Sequence, residues 1–73
     1  MTNTYSAEHK AIVKEFGDGA PYICFELLRG EEIPDFKNAN IGILLNSSTT
    51  YQQAQELANL INSQLKGVYL TKF

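Results

Sequence analysis

The chain has 73 residues, 44% of them apolar, and a formal net charge of −2 from eight acidic and six basic side chains. That length sets it as one small domain, residues 1–73, hiding only about 60% of the surface its unfolded form exposes, and the apolar share excludes a disordered chain. The scattered basic residues exclude the clustered cationic footprint of a nucleic-acid binder, no apolar run reaches a membrane span, and with Cys24 and His9 each alone of their kind an internal disulfide is impossible and a metal site lacks a ligand pattern.

Residues 1–5 are polar and expected to fray. The start shows no basic segment leading into an apolar run, so no export leader is expected and the chain reads as cytoplasmic. Residues 6–16, SAEHKAIVKEF, admit two readings: a helix capped by Ser6 and closed by Gly17, or a strand entering the turn GDGAP. The Asp18-Gly19 turn chemistry and the need of the following strand for a partner favour the strand. YICFELL, Tyr22 to Leu28, is the clearest strand, with Pro21 at its first position, where a missing N–H costs least. Ile23, Phe25 and Leu27 share one face; Tyr22, Cys24, Glu26 and Leu28 share the other.

RGEEIPDFKNAN is expected to be a long acidic loop broken by Gly30 and Pro34. IGILLN, Ile41 to Asn46, is a third strand, placing Ile41, Ile43 and Leu45 on one face and Leu44 on the other. Thr49 with Gln52 fits a capping box for a helix running to Leu65, whose stripe is Tyr51, Ala54, Leu57, Ala58, Ile61 and Leu65. Lys66 suits the negative end of that helix and Gly67 a left-handed exit. VYLTKF is the last strand, with Tyr69 and Phe73 on one side.

These elements predict an α+β fold: a single four-stranded mixed sheet in the order strand, strand, strand, helix, strand, with one amphipathic helix packed on one face. The strands flanking the helix are expected to be parallel if they share a sheet. The partner of the last strand is not fixed by the sequence.

One helix covers one face, which leaves Tyr22, Cys24, Leu28, Leu44, Tyr69 and Phe73 on the other. Burying a large apolar side chain is worth about 1.5 to 3 kcal/mol, so that face calls for a cover: a second copy, a partner, or the N-terminal segment folded across it. A second contact surface is expected on the helix exterior and acidic loop, from Gln53, Leu60, Gln64, Glu31, Glu32 and Phe36, because amides bind without the desolvation cost of a charge. The plainer reading of both is a solvated helix face and a solvated loop.

Chemistry finds little footing. Cys24 with His9 and a carboxylate would make a nucleophilic site, but a cysteine on a central strand reads as a small buried hydrophobe and His9 as a solvent-exposed residue. No catalytic, cofactor or metal residue is expected. GDGAP lacks the continuation of a phosphate loop. Aromatic residues on a sheet could stack nucleobases, but these lack basic neighbours. The expected function is a non-enzymatic protein–protein interaction module, self-associating as a homodimer through the open sheet face. The alternative is a small inhibitor or adaptor, of the kind viruses and mobile elements carry, that blocks a larger enzyme or complex.

Overall fold

A computed structural model describes residues 3–72. Phe73, expected on the open face, lies outside the described residues. The chain forms β1 (Asn3–Glu15), β2 (Pro21–Arg29), a 3-10 turn at Pro34–Phe36, β3 (Ile41–Leu44), α1 (Tyr51–Asn62) and β4 (Gly67–Lys72). The ambiguous segment is therefore strand. The expected fraying of residues 1–5 does not extend to Asn3, Thr4 and Tyr5, which pair with Lys72, Thr71 and Leu70. Between β1 and β2 the turn closes through Gly19 N–H to Phe16 O, and the Asp18 carboxylate accepts from Ala20 N–H.

The sheet order is β3-β2-β1-β4, with every neighbouring pair antiparallel. This corrects the mixed sheet. β3 and β4 sit on opposite edges, so the question of their parallel pairing never arises. The cause is the length of β1. β2 pairs only with Glu8 to Glu15, leaving Asn3 to Glu8 to be matched by β4 in a two-stranded ribbon. The chain from Asn62 to Val68 runs against β1 from Ala11 to Ala7 without reversing. β4 thus runs on from α1 with no reversal of the chain, because the four linking residues, 63–66, lie along β1 instead of forming a turn.

The core lies between α1 and the face of β1 and β2 that carries Ala11, Val13 and Ile23. Ala54 and Ala58 are fully enclosed there, and Phe25, Leu45 and Ile61 pack around them. Two alanines at the centre of the stripe let the helix lie close to the strands, as the pattern predicts. The stripe is narrower than expected, since Tyr51 and Leu57 remain exposed.

The helix ends also differ from expectation. Thr50, not Thr49, is the N-cap, and its partner is Gln53, not Gln52. The helix stops at Asn62, so Lys66 lies beyond its last turn, and Gly67 opens β4 instead of closing the helix. Gly67 is needed for closeness to β1: an added Cβ would stand 2.9 Å from Glu8 Cα and on top of the Ala7 carbonyl.

Candidate functional site

The face turned away from α1 is built row by row from the registers. Lys14 lies beside Tyr22 and Leu44, Ile12 beside Cys24 and Gly42, and Lys10 beside Glu26. The Lys14 ammonium meets the Glu26 carboxylate at 2.7 Å, so this ion pair reaches across the row of Ile12 and Cys24. The hydrogen bond to Glu26, then its charge, hold the Lys14 amine above its usual 10.5. Phe16 stacks on Tyr22 with ring centroids 4.3 Å apart. Cys24 is only 1% exposed, a correction to its placement on an open surface.

The expected continuous apolar face is thus divided in two. At one end Tyr22, Cys24 and Leu44 come together with Phe16 around a shallow groove of about 210 Å³, which Ile43, on the helix-side face of β3, borders at the sheet edge, and Leu44 stands 80% exposed. At the other end, past the Lys14–Glu26 pair, Leu28 lies exposed where β2 carries one residue more than β1 between Glu8 and His9. Tyr69, 71% exposed, lines a separate groove of about 430 Å³ with Glu8, Arg29 and Lys66. Leu28 and Tyr69 therefore do not join the Leu44 cluster. Residues 3–16 do not fold across the face, because β1 is an inner strand of the sheet.

The second expected surface also breaks up. The Gln53 side chain accepts from Thr50 N–H and is committed to the cap. Glu32 and the half-buried Phe36 line a pocket with His9, Phe25 and Ile41, which neither Leu60 nor Gln64 reaches. Glu31, Leu60 and Gln64 are exposed. The acidic loop is pinned to β4 by Asp35 and Lys72 at 2.6 Å, while Ile33 within it is buried. A hydrogen bond from Lys72 to Asp35, then the carboxylate charge, raise the Lys72 pKa from 10.5.

His9 is not solvent-exposed. It is 8% exposed, and its Nδ1 donates to Ala7 O at 2.7 Å. It shares the helix-side face with Ala11, whereas Cys24 points to the opposite face, so no Cys–His pair forms. Among the described residues no group of three or more His, Cys, Asp or Glu could hold a metal ion, and no helix is long and apolar enough to cross a membrane.

Sequence reasoning missed Phe16 and Ile43 at the groove. A signal for Phe16 existed, since an aromatic residue just before a tight turn stands next to whatever side chain opens the returning strand. Compared with known proteins, the chain matches no protein-family model, no curated protein and no solved structure.

Proposed function

We propose that this chain is a non-enzymatic protein-interaction module that self-associates through the apolar surface around Leu44. One observation carries the reading: what is buried is small and what is exposed is large. Among the described residues, half of the eight buried apolar ones are alanines, and Val13, Ile23 and Ile33 are the only sizeable aliphatic side chains in that set. Ten large apolar side chains among the described residues are exposed, Leu44 the most. Scattered exposed apolar residues are ordinary, but at about 1.5 to 3 kcal/mol each a clustered set is comparable to the whole stability of a small domain. Small domains without disulfide or metal commonly gain that stability by oligomerisation. The free, buried Cys24 is compatible with a cytoplasmic setting.

Sedimentation or light scattering across a dilution series tests the proposal. The expected result is a particle of about twice the 8.2 kDa chain mass that falls to the monomer on dilution. Leu44→Lys, a change at an exposed position, is expected to give monomer throughout. A monomer at every concentration for the natural chain overturns self-association.

A further inference from the structure

Resting on that reading, we infer that the second copy adds edge to edge along β3, antiparallel and about a two-fold axis, joining two four-stranded sheets into one. The backbone directions across the sheet are set by β1. Alternate residues of a strand direct their N–H and C=O to the same side. Ala11 bonds Asn62 and His9 bonds Lys66, so the odd-numbered residues of β1 face the β4 side and the even-numbered ones face β2. Carried through the registers, Ile23 and Phe25 bond Ile43 and Ile41, which turns the N–H and C=O of Gly42 and Leu44 to the outer edge. Edges of this kind pair with other chains unless charge, proline or a cover prevents it.

The occupant follows from charge. From Asn38 to Gln55 the chain carries no charged residue and no proline, although the rest of the molecule carries fourteen charges. A two-fold axis sets each edge against its own copy, so a net charge of one sign on the edge would meet the same sign and repel it. An edge without charge escapes that repulsion. The other outer edge, β4, ends in Lys72 and follows Lys66.

Both faces of the edge are apolar as well. Leu44 and Phe16 lie on one. On the other, α1 rests on β1 and β2 and leaves Ile43 exposed. Asn62 marks the flank of α1 that faces the outer side of β1, and Leu57 and Leu60 lie about 140° and about 160° round the helix from it, on the flank toward β3. A second copy along β3 would shield Leu44, Ile43 and Leu57 together.

One register uses every free group. Gly42 pairs with Leu44 of the second copy and Leu44 with its Gly42, while Ile43 faces Ile43 across the axis as a non-hydrogen-bonded pair. The Cα separation of such a pair is about 4.5 Å, within reach of a disulfide.

Two measurements on the full chain test the arrangement. Amide hydrogen exchange at Gly42 and Leu44 is expected to slow by about tenfold or more between dilute monomer and concentrated dimer, while Tyr69 and Thr71 on the β4 edge stay fast. Ile43→Cys in a Cys24→Ser background is expected to form a covalent dimer with oxidised glutathione. A dimer by mass whose Gly42 and Leu44 amides stay fast, with no cross-link, overturns edge pairing and leaves self-association through the face standing. A monomer at all concentrations overturns both.

Discussion

Asn62 closes an edge that no strand reaches. β4 stops pairing at Glu8, yet Ala11 still needs partners for its N–H and C=O, and the Asn62 amide supplies both, accepting at 2.7 Å and donating at 2.8 Å. An amide has the same donor and acceptor pair as a peptide group, so the side chain stands in for a ladder residue. Asn62→Ala is expected to destabilise by about 1 to 3 kcal/mol, because two partly buried backbone groups lose their partners. Asn62→Asp should do no better, since its carboxylate can accept from Ala11 N–H but cannot donate to Ala11 O. Urea unfolding of the two variants checks this, and natural stability in Asn62→Ala would mean that water replaces the amide without cost. None of this was legible in the sequence, where Asn62 is one more amide on a polar helix. His9 was misread for a related reason: a lone histidine looks solvated until a nearby backbone carbonyl is found to bond it.

Whole elements were easier to read than their ends. The β1–β2 hairpin, β3 and the amphipathic helix all follow from periodicity and turn chemistry, which depend on many residues at once. The cap depends on two, and Thr49-Thr50 followed by Gln52-Gln53 offers the same box in two registers. Tertiary packing decides between them: with Ala54 and Ala58 on the core, the first turn begins at Tyr51 and Thr50 takes the cap. Thr50→Ala is expected to cost about 1 kcal/mol and Thr49→Ala less than about 0.5 kcal/mol, read as shifts in the urea midpoint. The reverse order of the two would place the cap in the other register. Gly67 shows the same limit of local reading. Its position after a helix suggests a left-handed exit, while its actual constraint is the Ala7 backbone, sixty residues away in sequence.

At the scale of the molecule, a strand of 13 residues serves two partners end to end, and the fold is correspondingly long, 42 × 25 × 19 Å. The sequence held the count of strands and the helix on one face. It did not hold the edge that β4 would take, because that depends on how far β2 reaches along β1, and the bulge opposite Glu8 and His9 has no residue signature. An elongated chain of this size buries little, and self-association would then carry part of the folding free energy. Folding and association become linked: a partner that binds only the folded chain adds about 2.7 kcal/mol of stability at 100 times its dissociation constant. In a domain this small, about 1 kcal/mol moves the thermal midpoint by roughly 4 to 8 °C. The midpoint of the natural chain is therefore expected to climb by on the order of 10 °C as its concentration rises to about 100 times the dissociation constant. Leu44→Lys should hold one midpoint at every concentration, matching the natural chain when dilute, because Leu44 contributes almost nothing to the monomer core. Calorimetry or circular dichroism melts over a concentration series measure both. If Leu44→Lys instead melts far below the dilute natural chain, Leu44 supports the monomer itself and the account of its exposure fails. If the natural chain shows one midpoint throughout and stays monomeric, association contributes nothing to its stability.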